Sequence, residues 1–225
     1  MKISIHQPQY LPWAGYINKI IKSDIFVFLD DVQYKKNEWQ NRNRIKSATG
    51  EIWLTVPVHY EFGQKINEIK IDNTTQWQKK QLKSIELNYR KSPFFDEVFP
   101  ILEKLLNRNY LYLVDINIES VMMMLDYLGI KRKIVKSSEN DIKGEKTDRL
   151  IDICKKFNAE VYLSGQGAKE YLEEEKFVKN DIRLEYQNFK LERYPQMFGE
   201  FIPNLSIVDM FFNCGKEKSL ELLSK

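Results

Sequence analysis

KISIHQPQYLPWAGYINKIIKSDIFVFLDDVQYKKNEWQNRNRIK, Lys2–Lys46, holds two short apolar runs, Ile3–Ile5 and Ile25–Leu29, separated by a segment of helical length. Neither run alternates cleanly between apolar and polar residues, as expected of strands buried on both faces. Their spacing predicts a parallel strand–helix–strand unit. Pro8 and Pro12 discourage helix before Trp13. Ile17, Ile20 and Ile21 then form a helical stripe, and Ser23-Asp24 closes it before the second strand. In open parallel sheets ligands bind beyond the carboxyl ends of the strands. Those ends carry His6, Gln7, Tyr10 and Trp13 after the first strand, and Asp30, Asp31, Gln33 and Tyr34 after the second.

Outward from this unit, residues 35–50 are polar and predict a basic loop. Ile52–Val58 predicts a strand with Pro57 near its end, which suits an edge or a rim. The alternation in Ile66–Ile71 predicts a half-exposed strand, hairpin-paired with it through Gly63. Residues 75–128 predict three helices. The first, from Thr75 to about Arg90, faces inward with Trp77, Leu82, Ile85 and Tyr89. The second starts at Ser92-Pro93, and the third spans Ile118–Leu128 between Asn117 and Gly129. Strand and helix then alternate again: Lys133–Lys136, a helix opened by Thr147, Glu160–Leu163, a short helix at Ala168–Leu172, and Ile182–Phe189. Ser206 suits the N-cap of a last helix, with Asp209 in its first turn. The expected class is α/β, with a Rossmann-like, mainly parallel sheet, flanking helices and a central helical insertion.

The 225 residues suffice for a single domain over 1–225, with residues 75–128 able to form a subdomain. Hydrophobic content of 43% and charged content of 30% exclude a disordered chain. A net charge of +3 is too small to bind DNA by its field alone, whereas the basic excess at residues 35–46 suits a small anionic ligand. No apolar run approaches the roughly 18–20 residues of a membrane span, and no apolar segment of a secretion signal follows the N-terminus. Cys154 and Cys214 lack metal-ligand spacing and read as reduced thiols of a cytoplasmic protein. The 13% aromatic residues suit either a core or a homodimer interface.

His6 can act as a general base, can donate to a developing anionic charge, or can be a structural hydrogen-bonder. Asp30 and Asp31 can bind sugar hydroxyls, hold Mg²⁺ or act as a base, or can simply pair with Lys35 or Lys36. Trp39, Gln40, Asn41, Arg42, Arg44 and Lys46 join an aromatic ring, amides and cations in eight residues. Arginine forks fit phosphate or carboxylate, and a tryptophan can stack on a base or a sugar. Ser164-Gly165-Gln166-Gly167 again puts small polar groups at a strand end, where a backbone can approach an anion. The residues define no metal site and no particular cofactor.

His6–Ile20, Ser23–Ile45, Trp53–Val58, Tyr162–Leu172 and Phe201–Gly215 together resemble the WbqC-like family of bacterial proteins, and they span the chain in order. The resemblance implies a role in O-antigen or other surface-polysaccharide biosynthesis. It carries over His6, Gln7, Tyr10, Trp13, Asp30, Asp31, Trp39, Gln40, Asn41, Arg42, Arg44, Ser164 and Gly165 as site residues. The expected function is a transferase that modifies a nucleotide-activated amino sugar by acyl or aminoacyl transfer, with a sugar nucleotide or acyl donor as its anionic substrate. His6, Asp30 and Asp31 are the expected catalytic groups. The alternatives are a nucleotidylyltransferase-like enzyme and a non-catalytic sugar-nucleotide-binding protein. The first is weakened because Gly15 is followed by Tyr16, not by a second histidine.

Overall fold

The computed structural model describes residues 1–225. The opening unit is β1 (Lys2–His6), α1 (Ala14–Ile21) and β2 (Ile25–Phe28). After it come two hairpin strands, β3 (Arg42–Ser47) and β4 (Gly50–Thr55), and two very short ones, β5 (Val58–His59) and β6 (Lys70–Ile71). Three helices occupy the middle of the chain: α2 (Trp77–Tyr89), α3 (Phe95–Leu106) and α4 (Leu113–Leu128). The remainder is β7 (Lys133–Lys136), α5 (Lys146–Lys156), β8 (Val161–Ser164), α6 (Glu174–Lys179), β9 (Arg183–Tyr186) and α7 (Ile207–Ser224).

Five strands form one parallel sheet in the order β7-β2-β1-β8-β9. The fold is therefore α/β, as the sequence predicts. Side chains along a strand point alternately to the two faces. Ile3, Ile5, Ile25 and Val27 accordingly enter a smaller core with Ile151, Cys154 and Phe177 of α5 and α6. Phe26 and Phe28 point the other way, into a larger core with α1, α7 and the helices of residues 77–128. The central helical segment thus packs into the same core that covers one face of the sheet.

The chain leaves β1 toward β2 on one side and later returns to place β8 on the other, so the order reverses between β1 and β8. Such a reversal is where an open parallel sheet forms a crevice. Pairing makes it wider here. β1 and β2 stay in register for four residues, Ile3↔Ile25 to His6↔Phe28. β1 and β8 pair only at Lys2↔Val161 and Ile3↔Tyr162, and then part.

Several expectations change. Residues 42–47 are not loop: Arg42–Ser47 pairs antiparallel with β4. The polar composition hid this strand, because Asn43 and Lys46 are buried like Ile45. Ile66–Ile71 is a strand only at Lys70–Ile71, after a 3₁₀ turn at Ile66–Glu68, though it does pair with Val58–His59. In place of a helix at Ala168–Leu172 there is a 3₁₀ turn at Gln166–Glu170, and the strand expected over Ile182–Phe189 is confined to Arg183–Tyr186. The third central helix begins at Leu113, so Asn117 lies inside it and is fully buried. There it donates to Gln40 O at 2.8 Å and Pro8 O at 3.4 Å. Gly129 closes this helix at φ 72°, a left-handed position that glycine adopts without strain. Ser206 caps α7 by accepting from Val208 N. Asp209 is buried and accepts from Tyr89, Tyr194 and Gln196, which ties the segment before α7 to the helix.

Candidate functional site

A crevice of about 370 Å³ opens where β1 and β8 part. His6 and Ile5 from β1, and Tyr162, Ser164 and Gly165 from the end of β8, line it. Trp13, Tyr16 and Lys19 come from the first turn and α1, Trp39 from the segment before β3, and Gln187 and Phe189 from beyond β9. Lys19 is the one lysine in this lining, which includes no arginine, aspartate or glutamate.

The imidazole of His6 is held by stacking on Tyr16, with ring centroids 4.7 Å apart and planes 21° from parallel. The Tyr16 hydroxyl donates to Gln7 O at 3.1 Å, fixing the supporting ring. Nδ1 of His6 is sealed from solvent and has no hydrogen-bond partner, and Nε2 makes none within the protein. Burial, helped by the nearby charge of Lys19, lowers the His6 pKa well below its ordinary value. Burial thus favours the neutral ring and makes it a weaker base than an exposed imidazole.

Trp13 walls the crevice because of Gly15. A Cβ at Gly15 would lie 2.2 Å from the indole of Trp13, so only glycine lets the ring fold over the start of α1. Trp39 is pinned through its backbone, since Tyr10 N donates to Trp39 O at 3.0 Å. It is 38% exposed and sits 5.8 Å from Trp53. Arg42 stacks on Trp53 at 4.2 Å and donates to Asn37 O at 2.5 Å. Arg44 pairs with Glu51 at 2.7 Å and lies 5.3 Å from the Trp39 ring.

Of the residues singled out by sequence, His6, Trp13, Trp39, Ser164 and Gly165 thus converge on one crevice. Gln7 and Gln40 instead tie the first turn to the basic segment, Tyr10 ties the turn to α2, and Asn41 ties the segment to the chain after β4. Gln40 Nε2 donates to Gln7 Oε1 at 2.7 Å, Tyr10 OH to Gln81 Oε1 at 2.6 Å, and Asn41 Nδ2 to Val56 O at 3.1 Å. Arg42 and Arg44 stand in the aromatic wall behind Trp39.

Asp30 and Asp31 lie apart from the crevice, at the carboxyl ends of β2 and β7. Asp30 is 1% exposed and accepts from Ser137 Oγ (3.1 Å), Ser138 N (3.0 Å) and Ser138 Oγ (2.6 Å). Asp31 accepts from Ser137 Oγ at 2.5 Å and pairs with Arg149. Burial pushes the Asp31 carboxyl up, but the bonds from Ser137 and Arg149 outweigh it and hold the group below its ordinary range. Neither aspartate lines the crevice.

Sequence reasoning passed over Lys19, Gln9, Tyr16 and Gln187. No sequence signal marks Lys19: a crossover helix ordinarily keeps one face in solvent, and α1 is buried because α7 packs on it, with Asn18 Nδ2 donating to Leu223 O at 2.8 Å.

The fold and the crevice define an α/β protein of the parallel-sheet type whose open site lies at the switch point of strand order. The chain belongs to the WbqC-like protein family, whose profile matches residues 7–221. It is 37% identical over 220 residues to a Mycobacterium tuberculosis protein designated "Uncharacterized protein Rv1507c", covering 96% of this chain and 95% of that one. No solved structure matches it significantly.

Proposed function

We propose that this chain is a cytoplasmic transferase of surface-polysaccharide biosynthesis that acylates or aminoacylates a nucleotide-activated amino sugar bound in the β1/β8 crevice. The observation that carries this reading is the unpaired, neutral imidazole of His6, held against Tyr16 in an opening walled by Trp13 and Trp39. Aromatic walls suit a sugar face or a base. A neutral imidazole suits removal of a proton from an attacking amine. With a thioester donor, the amine nitrogen attacks the carbonyl carbon and His6 Nε2 takes its proton. The C–S bond then breaks and the proton passes to the departing thiolate. Ser164 and Gly165 belong to the floor of this site, and Arg42 and Arg44 stiffen its outer wall.

The test is a thermal-shift screen with sugar nucleotides, acyl-CoA and ATP, followed by mass spectrometry of the stabilising mixtures. An acylated sugar nucleotide should form, and His6→Ala should lower turnover about 10²- to 10⁴-fold while leaving substrate affinity nearly unchanged. Full activity in His6→Ala rejects the base assignment. Affinity without product under any donor supports a non-catalytic binding protein instead.

A further inference from the structure

Lys19 is 4% exposed, and its Nζ, which forms no hydrogen bond or ion pair within the protein, keeps a small contact with the solvent of the crevice. The rest of the crevice lining is uncharged: aromatic, amide, hydroxyl, glycyl and aliphatic groups, with no carboxylate. The ammonium stands beside the end of β8, where the position a Cβ on Gly165 would take lies 3.6 Å from Nζ. Two further polar atoms of the lining, Ser164 Oγ and Gln9 Oε1, are buried without partners. A buried cation is costly unless an anion and hydrogen bonds offset its lost hydration. In native proteins a buried polar group without a partner calls for an explanation, and a cluster of them in one opening points to a ligand.

We propose that Lys19 is the seat for the anionic group, phosphate or carboxylate, of the small molecule that enters the β1/β8 crevice. This assigns the charge recognition to the buried lysine and not to Arg42 and Arg44, neither of which lines the crevice. The inference rests on the crevice being the binding site of the transferase reading, but it requires no turnover. The orientation follows from it: the anion lies at the inner end by Gly165, and the apolar or cyclic part of the ligand extends past Trp13 and Phe189 toward Trp39.

Isothermal titration of the full chain with inorganic pyrophosphate, and in a parallel arm with malonate, tests the assignment. Wild type should bind at least one of the two, and the stronger arm identifies phosphate or carboxylate as the group recognised. Lys19→Met should weaken that binding about tenfold to a hundredfold. The ligand-free Lys19→Met protein should melt no lower than wild type, because a buried charge lacking a counter-ion has been removed. Binding within twofold of wild type in Lys19→Met, or no binding of either anion by wild type, overturns the proposal. Lys19→Gln repeats the test at retained polarity, and loss of folding in both variants makes the lysine a structural group and overturns it as well. A covalent adduct on Lys19 after incubation with an acyl donor would replace the anion seat by a nucleophile. Because no co-substrate is present in the titrations, their outcome is separate from the His6→Ala turnover test.

Discussion

Two neighbouring strand ends of the same sheet are built from similar polar residues and have opposite characters. At the ends of β2 and β7, the carboxylates of Asp30 and Asp31 receive hydrogen bonds from Ser137, Ser138 and Arg149. Just across the sheet, at the ends of β1 and β8, His6, Gln9, Lys19 and Ser164 face one opening with polar atoms that no protein group satisfies. A closed network rigidifies the place where it sits, whereas an open one is completed by a ligand. Backbone pairing draws the same distinction, since β2 and β7 stay in register through Phe28↔Lys136 while β1 and β8 separate beyond Ile3 and Tyr162.

The sharpest way to break this contrast is to exchange the expected phenotypes. His6→Ala should abolish most turnover and leave the melting temperature near wild type. Asp30→Ala should do the reverse. It deletes a buried acceptor together with its hydrogen bonds from Ser137 Oγ, Ser138 N and Ser138 Oγ, at a cost of about 1–3 kcal/mol read by urea unfolding, with activity per folded molecule unchanged. If Asp30→Ala removes activity without loss of stability, the β2/β7 end belongs to the reaction and the contrast fails.

A smaller effect belongs to the outer wall. Trp39→Ala should weaken sugar-nucleotide affinity by up to about tenfold, consistent with roughly 0.5–1.5 kcal/mol for one stacked ring, and should leave kcat nearly intact. A loss of kcat at unchanged affinity would move Trp39 from binding to chemistry.

The finest discriminator is pH. Burial, with the charge of Lys19, depresses the folded-state pKa of His6 below its unfolded value near 6.5. Within that window the unfolded chain binds more protons, so His6 adds stability at higher pH that is lost as pH falls through 6.5 toward the depressed value. His6→Gln should flatten this part of the stability curve. The wild-type rate, normalised to the unprotonated fraction of the substrate amine, should also hold from pH 7.5 down to 6.5, since the depressed His6 pKa keeps the base neutral there. A rate that halves near pH 6.5 would mean that the imidazole titrates like an exposed one.

Some of this was legible in the order of residues. The apolar runs at Ile3–Ile5 and Ile25–Leu29, with a helical stripe between them, suffice for a parallel unit. The polar turn after His6 marks its carboxyl end. Strand β3 was hidden because burial of Asn43 and Lys46 is satisfied by remote partners, Leu11 O for Asn43 and the segment around Gln196 and Glu200 for Lys46. The place of Asn117 inside α4 is hidden for the same reason, since the groups it bridges lie 77 and 109 residues away.

What the sequence determined by itself is which side chains stand at strand ends and which residue types could bind a charged sugar. Only the tertiary structure decided which of them are already spoken for. Hydrogen-bond saturation is a property of groups brought together from distant positions: Ser137 reaches Asp30 across 107 residues. No such partner reaches Lys19 or His6, and the parting of β1 from β8 sets both beside an opening.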